Sequence, residues 1–513
     1  MSSVLALDQG TTSSRALVVH ADGTVLAQAH RPLTQHFPEP GWVEHDAEEI
    51  FASTVEAARE AFAASGERPS AIGITNQRET VVIWERASLR PVGRALVWQD
   101  RRTAARCREL VSRGLEPMLR ERTGLVADPY FSATKLEWWM LRDPALRRRA
   151  ERGELAAGTI DSWLVARLTG GRAHVTDHTN ASRTLLYNLK ERAWDDELLR
   201  LFGVPRELLP AVVASAGVVG DADPEHFGVA LPIAGMAGDQ QASLFGLGCT
   251  APGSAKNTYG TGAFLLVHAG DVLPAPASGT LATVACGPRG EPAYALEGSI
   301  FIAGAAIQWL RDGLGLLETA AESEALAASL ADTAGVHFVP AFVGLGTPHW
   351  EPEARGTITG LTRGTSKAHL VRAALEAMAF GSVELLEGMG GPPVRTLRVD
   401  GGASANGWLM QFQADILGHP VERPDVVETT ALGAAGLAGL ATGVWPDTAQ
   451  FLAARRFTTF APRMPGAERE RRRAGWNRAV DAALAWARSH PERRARSHPE
   501  RSEGSAWTGF DAG

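Results

Sequence analysis

Three short stretches of this chain combine glycine with hydroxyl or acidic side chains, a composition suited to binding phosphate. Residues 8–15 (DQGTTSSR) place an aspartate after an apolar run, and then a glycine, four hydroxyl residues and Arg15. Backbone N–H groups and hydroxyls in such a loop can donate to phosphate oxygens, while Asp8 can face a hydrated divalent cation. The same residues also suit an ordinary hairpin turn, so this stretch alone leaves both interpretations open.

The other two stretches lie in the second half of the chain. Residues 257–262 end in a Gly-Thr-Gly turn before an apolar run, and residues 400–402 (DGG) precede a helical pattern at 408–417. Glycine pairs are common in loops, so the first of these is a weak signal. The second is stronger, because a helix N-terminus favours anions and glycine allows close approach. A plain strand-to-helix turn is the alternative for it.

Motifs of several other enzyme classes are absent from the sequence. No glycine-lysine-serine/threonine pattern of a P-loop occurs, no G-x-G-x-x-G follows a predicted strand and opens a helix, and H-E-x-x-H is missing. The three cysteines are widely spaced, which predicts neither a disulfide framework nor a zinc site. The net charge of −7 gives no reason to expect a nucleic-acid partner.

The elements that must position these loops are a mixture of strands and helices. Apolar runs at 4–7 and 16–20 flank the first polar stretch, and an Asp-Gly turn follows them, which predicts strands joined by hairpins. Residues 46–66 carry a capping aspartate, one apolar face and a final glycine, which predicts an amphipathic helix. Strands beside glycine loops recur in the second half. We therefore expect two related α/β domains that flank a cleft.

The chain length predicts more than one domain. At 513 residues it is too long for one ordinary core, and we predict an N-terminal domain over 1–248 and a C-terminal domain over 249–487. Residues 488–513 contain two copies of the polar, proline-broken sequence ARSHPER, which predicts a disordered tail. Folded-looking sequence begins at Val4, which leaves no room for a signal peptide, and no apolar run approaches the ~20 residues of a membrane span. We expect a cytoplasmic protein.

Taken together, seven segments of the chain resemble the FGGY family of carbohydrate kinases, and in particular its members that phosphorylate glycerol. The similarity covers roughly residues 3–485, and residues 364–376 resemble a family signature. In order, the seven segments are residues 6–15, 76–80 (NQRET), 97–103 (VWQDRRT), 128–132 (DPYFS), 237–242 (AGDQQA), 256–262 (KNTYGTG) and 399–406 (VDGGASAN).

The resemblance implies a fold and a reaction. The fold is α/β, with two ribonuclease-H-like domains of the actin, hexokinase and Hsp70 type flanking a catalytic cleft. The reaction is ATP-dependent phosphorylation of glycerol to sn-glycerol 3-phosphate, the first step of glycerol catabolism, with ATP and Mg²⁺ as cofactors. The N-terminal domain would mainly bind glycerol and the C-terminal domain the nucleotide. We also expect a homo-oligomer, a dimer or a tetramer, although the sequence does not specify the number of subunits.

The resemblance also assigns roles to individual residues. Asp239 resembles the catalytic base, and Asp8 and Asp239 match carboxylates near the magnesium ion. The residues that would hold the glycerol hydroxyls are Arg78, Glu79, Tyr130, Asp239 and Gln240. Trp98 and Phe264 would form the apolar walls of the pocket. The residues that match nucleotide contacts of the family are Thr11, Thr12, Ser13, Arg15, Thr261, Gly304, Gln308, Gly402 and Asn406.

These residue types suit the implied reaction. A triol needs both donors and acceptors, which an arginine with two carboxylates supplies. Phosphoryl transfer needs in-line positioning, charge neutralisation and a group that receives the alcohol proton. Two structural alternatives stay open: Trp98 and Phe264 can be ordinary core residues, and Arg78 with Glu79 can be a surface ion pair of little energetic value.

One segment departs from the family pattern. Gram-positive members carry a regulatory histidine in a His-Phe-Tyr-Gly segment, whereas residues 225–228 (EHFG) lack the tyrosine and are one residue shorter. We therefore expect His226 to be a plain loop histidine.

Two rival functions remain to be weighed. A kinase for another polyol or a ketose is disfavoured by NQRET and Trp98. A chaperone or filament protein on the same nucleotide fold is disfavoured because no peptide-binding β domain follows the second half.

Overall fold

A computed structural model describes residues 2–277, 279–349, 351 and 353–489 of the chain. The predicted tail at 488–513 therefore falls outside the described residues from position 490 onward. Strands and helices occur in both halves of the described chain, as expected for an α/β protein.

The first half of the chain, described from residue 2 onward, contains fourteen strands and ten helices. The strands are β1 (Ser3–Gln9), β2 (Ser13–His20), β3 (Val25–Pro32), β4 (Glu44–His45), β5 (Ala71–Asn76), β6 (Val81–Glu85), β7 (Ala95–Leu96), β8 (Leu155–Thr159), β9 (Val175–Asp177), β10 (Tyr187–Asn188), β11 (Ala193–Trp194), β12 (Ala211–Val213), β13 (Ala216–Ala222) and β14 (Leu231–Gly238). The helices are α1 (Ala47–Ser65), α2 (Ala104–Ser112), α3 (Glu116–Thr123), α4 (Ala133–Arg142), α5 (Pro144–Glu151), α6 (Ile160–Leu168), α7 (His178–Ala181), α8 (Asp196–Phe202), α9 (Pro224–Phe227) and α10 (Asp239–Gly246).

The described part of the second half contains nine strands and seven helices. The strands are β15 (Ala255–Tyr259), β16 (Ala263–Gly270), β17 (Leu281–Cys286), β18 (Pro292–Ile300), β19 (His337–Val339), β20 (Thr357–Thr359), β21 (Leu397–Asp400), β22 (Val421–Pro424) and β23 (Phe457–Phe460). The helices are α11 (Gly304–Asp312), α12 (Glu322–Ala328), α13 (Lys367–Gly388), α14 (Gly407–Leu417), α15 (Thr429–Thr442), α16 (Thr448–Ala453) and α17 (Gly466–Ser489). Short 3-10 helices span Arg206–Leu208 and Gly402–Ala405.

Six strands form the first large sheet, in the order β13-β14-β5-β1-β2-β3. Strands β1, β5 and β14 run parallel, whereas β2, β3 and β13 are antiparallel to their neighbours. The register pairs Asp8 with Thr75 and Gly238 with Asn76, so the carboxyl ends of three adjacent strands lie at one edge. Ligands of open α/β sheets bind beyond such strand ends.

Seven strands form the second large sheet, in the order β17-β18-β16-β15-β21-β22-β23. Strands β15, β21 and β22 run parallel, and Thr258 pairs with Asp400, so the glycine turns after β15 and β21 lie side by side. The run β18-β16-β15-β21-β22 repeats the order and directions of β3-β2-β1-β5-β14 in the first sheet. The repeated glycine loops of the sequence thus follow equivalent strands.

Two predicted local structures are confirmed. Helix α1 begins after Asp46, whose carboxylate accepts a hydrogen bond from the N–H of Glu49 at 3.3 Å, and it ends at Gly66, which has a φ of 66°. Strands β1 and β2 form a hairpin in which the Gly10 N–H donates to the Ser13 carbonyl at 2.9 Å. The polar loop is shorter than predicted, because Ser13 already belongs to β2.

Helix α15 comes from the second half of the sequence but packs against the first sheet and α10. Glycines permit this close approach: a Cβ at Gly73 would overlap the Ala434 carbonyl, and a Cβ at Gly433 would overlap the Ala242 carbonyl. Buried alanines of α10 and α15 join one apolar cluster with the back of the first sheet. The exact domain boundary near 248 stays a prediction.

Three smaller observations complete the fold. Cys107, Cys249 and Cys286 are buried free thiols. His226 lies on the short helix α9 rather than in the expected loop, with its ring 5.5 Å from that of Phe51. Among the described helices, none has the length and apolar character needed to cross a membrane.

Candidate active site

Asp239, the predicted base, is the first residue of α10 and directly follows β14. The parallel pairing of β14 with β5 brings it beside the residues that follow β5. Its Oδ1 lies 3.3 Å from the Nε of Arg78, and its side chain is 33% exposed. Oδ1 also accepts a hydrogen bond from the Gln240 N–H at 2.7 Å. The carboxylate is therefore held at the cleft but remains open to a ligand.

Arg78 is almost fully buried, with a side chain that is only 2% exposed. Its Nη1 and Nη2 donate to the two carboxylate oxygens of Glu297 at 2.6 and 3.1 Å. Longer contacts reach Gln241 Oε1 at 3.3 Å and Tyr130 Oη at 3.5 Å. Burial alone would lower the pKa of Arg78, but the surrounding carboxylates raise it well above its usual value. The alternative of a surface ion pair is therefore wrong.

Glu79 has an unusual backbone and a buried carboxylate. Its φ of 62° is in the left-handed region, which costs a non-glycine residue about 1–3 kcal/mol and often marks functional sites. Oε1 accepts a hydrogen bond from Arg183 Nε at 2.7 Å, and burial raises the pKa of this carboxyl. The Ser132 hydroxyl donates to the Glu79 carbonyl at 2.9 Å, which helps to hold the strained turn.

One of the two predicted wall residues, Trp98, meets Tyr130, which is predicted to bind a glycerol hydroxyl. The rings of Trp98 and Tyr130 pack edge to face with centroids 5.5 Å apart. Trp98 Nε1 also donates to Thr11 Oγ1 at 2.9 Å, which ties this wall to the loop after β1. Phe264 is half-buried on β16 and has no ring contact with Trp98 or Tyr130 in the described part of the chain. Its place in the pocket stays a prediction.

Asp8 offers a carboxylate suited to a hydrated cation. Burial raises the pKa of Asp8 to about 7, Arg15 opposes this shift, and Asp239 and Glu428 add to it. Within the described ranges no side chain donates a hydrogen bond to this carboxylate, and no group of three or more metal-ligating side chains occurs. Mg²⁺ commonly keeps several waters and uses one or two carboxylates together with substrate phosphates. Asp8 and Asp239 fit that pattern.

A cavity of about 460 Å³ opens in the second domain beside the turns after β15 and β21. Its size is within the range of small-molecule sites. Apolar side chains such as Ile307, Leu375 and Met378 form part of its lining, with Arg311 at its edge. The predicted nucleotide contacts that line it are Thr261, Gly304, Gln308, Gly402 and Asn406. This composition suits a nucleoside.

Local structure explains how the cavity is built. Gly304 begins α11, and its N–H donates to the Gly260 carbonyl at 3.0 Å. Asn406 caps α14, since its Oδ1 accepts a hydrogen bond from the Leu409 N–H at 2.9 Å. The DGG stretch does not open α14 directly, because the 3-10 helix Gly402–Ala405 lies between them.

The remaining predicted nucleotide contacts lie at the first sheet rather than around this cavity. Thr11 and Thr12 form the turn between β1 and β2, and Ser13 and Arg15 lie on β2. Arg15 Nη1 is 3.6 Å from Glu428 Oε1, at the start of α15. The candidate phosphate contacts are thus close to Asp8, whereas the candidate nucleoside contacts belong to the second domain.

Two charged residues at the site, Glu297 and Lys256, were not among the site residues predicted from the sequence. Burial would raise the pKa of Glu297, but Arg183 and Arg78 outweigh it and lower this pKa to about 2. Lys256 is fully buried, and its Nζ donates hydrogen bonds to Gln240 Oε1 and, at 2.6 Å, to Thr258 Oγ1. Burial lowers the pKa of this lysine. Lysine is rare in this arginine-rich chain, and that rarity was an available signal for Lys256.

Comparison with known proteins gives a consistent picture. The N-terminal and C-terminal domain models of the FGGY family of carbohydrate kinases match residues 3–246 and 255–442. The chain is 55% identical to a glycerol kinase of Carboxydothermus hydrogenoformans, over 94% of this chain and 98% of that protein. It is 54% identical to a glycerol kinase of Symbiobacterium thermophilum, over 94% of this chain and 99% of that protein.

A solved structure supports the same relationship. The crystal structure of Plasmodium falciparum glycerol kinase with ADP is 34% identical and has a TM-score of 0.89, with 94% of this chain and 98% of that chain covered. The predicted fold of two ribonuclease-H-like domains is confirmed. From its sequence, its two matching domains and its structure, this chain belongs to the FGGY family of carbohydrate kinases.

Proposed function

We propose that this kinase transfers the γ-phosphoryl group of ATP to glycerol and forms sn-glycerol 3-phosphate, the first step of glycerol catabolism. The observation that carries the proposal is the convergence of Arg78, Asp239 and Tyr130 beside Trp98 at the ends of parallel strands. Such a pocket offers a short triol both charged partners and an aromatic wall. The glycerol kinases at 54–55% identity support the substrate, and the ADP-bound relative supports the nucleotide.

Asp239 is the proposed general base. Its carboxylate accepts the proton of the attacking hydroxyl as that oxygen bonds to the γ-phosphorus, and the bond from this phosphorus to the bridging oxygen breaks to release ADP. Arg78 donates to a neighbouring hydroxyl that does not react, and Glu79 and Gln240 complete the contacts to the triol. Because these groups are held by buried hydrogen bonds, they present one hydroxyl to the phosphate in a fixed direction. When bound, Mg²⁺ would neutralise phosphate charge, held through Asp8 and Asp239.

ATP is proposed to span the cleft. Its nucleoside would occupy the cavity lined by Gly304 and Gly402, and its phosphates would face the hydroxyls of Thr11 and Thr12. Since these groups lie on opposite domains, nucleotide and glycerol together should favour a closed arrangement. The proposal includes a cytoplasmic location, which the buried free thiols fit, and a homo-oligomer, a dimer or a tetramer, to be measured by light scattering.

An assay of ATP-dependent phosphorylation over glycerol, erythritol, xylitol, dihydroxyacetone and xylulose tests this function. We expect glycerol to have the highest kcat/KM, about tenfold or more above the longer alcohols, because the pocket penalises extra carbons. The Asp239→Asn protein, purified in the same way, controls for contaminating kinases. A preference for xylulose would contradict the glycerol assignment.

A further inference from the structure

The buried ion cluster beside the pocket contains a carboxylate that belongs to the other domain. Glu297 lies on β18 of the second sheet, and its side chain is 3% exposed. Its partners Arg78 and Arg183 follow β5 and α7 in the first half of the chain. Glu297 therefore reaches across the domain interface into the side of the pocket assigned to the first domain.

The geometry of this carboxylate is specific. Oε2 accepts a hydrogen bond from Arg78 Nη1 at 2.6 Å, and Oε1 accepts from Arg78 Nη2 at 3.1 Å and from Arg183 Nη2 at 3.0 Å. A two-oxygen contact fixes the plane of a guanidinium as well as its position. The two arginines carry like charges, so their close packing in a buried place depends on the carboxylates of Glu297 and Glu79 beside them.

The contacts of Arg78 to Glu297 are shorter than its contacts to Asp239 and Tyr130. Those to Glu297 are short, whereas Nε is 3.3 Å from Asp239 and Nη2 is 3.5 Å from Tyr130. Long contacts such as these are readily exchanged for a substrate hydroxyl. The strong pair thus sets the orientation of the guanidinium, and its longer contacts are to Asp239 and Tyr130, two of the predicted substrate-binding residues.

We propose that Glu297 is a positioning residue, which holds Arg78 in the orientation that binds a hydroxyl of the substrate. The polyol site of the first domain is then complete only when the second domain is docked on it. This inference rests on the proposed function, in which Arg78 binds a non-reacting hydroxyl, and extends it to a residue of the opposite domain.

Kinetics of Glu297→Gln test the inference, because the amide keeps the shape and removes the charge. We expect the KM for glycerol to rise on the order of tenfold or more, because the substitution weakens the charged contact that orders Arg78. The KM for ATP should stay within about twofold, and kcat should change less than the glycerol KM. Glu297→Asp, which keeps the charge on a shorter side chain, should have an intermediate glycerol KM.

A double-mutant cycle with Arg78→Ala separates positioning from a general structural effect. If Glu297 acts through Arg78, adding E297Q to R78A should raise the glycerol KM little beyond that of R78A alone. Glu376→Gln is the matched control, since Glu376 is also 3% exposed but pairs with Arg372 at 2.9 Å and Arg472 at 3.4 Å, both in the second half of the chain. E376Q should lower the Tm while the glycerol KM stays at the wild-type value.

The possible outcomes are distinct. A folded E297Q protein with a wild-type glycerol KM overturns the inference, as does an equal rise in both KM values or full additivity with R78A. If E297Q does not fold, E297D decides by the same comparison. If the wild type prefers another alcohol of the panel, the proposed substrate fails, and the same variants measured with that alcohol still decide the role of Glu297. If it phosphorylates none, both proposals fall.

Discussion

The first and second sheets direct the ends of equivalent strands toward the same cleft but equip them differently. Asp8, Arg78 and Asp239 lie at or just beyond the ends of β1, β5 and β14, whereas the turns after β15 and β21 are built on Gly260 and Gly401. Charged side chains can bind hydroxyls and accept a proton, whereas glycine turns let a ligand approach the backbone. Two domains of similar topology can thus place most of the acceptor chemistry in one domain and the nucleoside cavity in the other through different loop composition.

The largest expected effect comes from Asp239, and it tests whether the first sheet supplies the general base. Asp239→Asn keeps the shape of the side chain but removes the base, so kcat should fall by ~10²–10⁴-fold. The KM for ATP should change much less than kcat, because the nucleoside cavity belongs to the other domain and Asp8 remains to hold Mg²⁺. Steady-state kinetics on protein with a wild-type Tm provide the measurement. Near-normal turnover in such a protein would remove Asp239 from its proposed role.

A second change asks whether the second sheet also contributes to the acceptor pocket. If Phe264 lines this pocket, Phe264→Ala should lower kcat/KM for glycerol by about tenfold and raise the relative rate with erythritol. Phe264→Leu, which preserves most of the bulk, serves as the control. An unchanged ratio of the two alcohols would assign Phe264 to the core and leave Glu297 as the second sheet's contribution to the acceptor pocket.

Alanine substitutions at two adjacent glycines after β21 should distinguish an effect on folding from an effect on nucleotide binding. A Cβ at Gly402 meets no atom within 4 Å, so Gly402→Ala should keep the Tm and raise the KM for ATP by about fivefold through steric cost in the cavity. Gly401 has a φ of 82°, and a Cβ there would overlap the Tyr259 carbonyl. Gly401→Ala should therefore lower the Tm. A reversed pattern, measured by calorimetry and kinetics, would contradict the cavity assignment.

The smallest expected effect concerns Asp8, whose equivalent position in the second sheet is the neutral Thr258. The pKa of Asp8 is raised from 3.8 to about 7 in the folded protein, because burial disfavours the ionised carboxylate. The free energy of unfolding therefore falls as pH rises from 3.8 to about 7, where the folded protein must give up this proton. Without magnesium, Asp8→Asn should raise the Tm by a few degrees at about pH 8 and by less at about pH 5. Equal shifts at both pH values would show that this carboxyl is not desolvated.

Much of the fold could be predicted from the sequence because its signals are local. The cap at Asp46, the terminator at Gly66 and the hairpin of β1 and β2 each depend on a few neighbouring residues. The order of the seven motifs was enough to identify the family, which the comparisons confirmed. The motifs also contained the site residues that the structure brings together around Asp239.

Tertiary structure alone decided which distant segments meet. Glu297 and Arg78 are 219 positions apart, and nothing near either residue in the sequence names the other as its partner. Helix α15 likewise packs on the first sheet and α10 through close backbone approaches at Gly73 and Gly433, which are 360 positions apart. Local preferences depend on neighbouring residues, whereas the pairing of buried charges and the close approach of backbones depend on how whole elements pack. The sequence by itself therefore determined the strands, the turns and the family, and the packing of the two domains determined which charges surround the substrate.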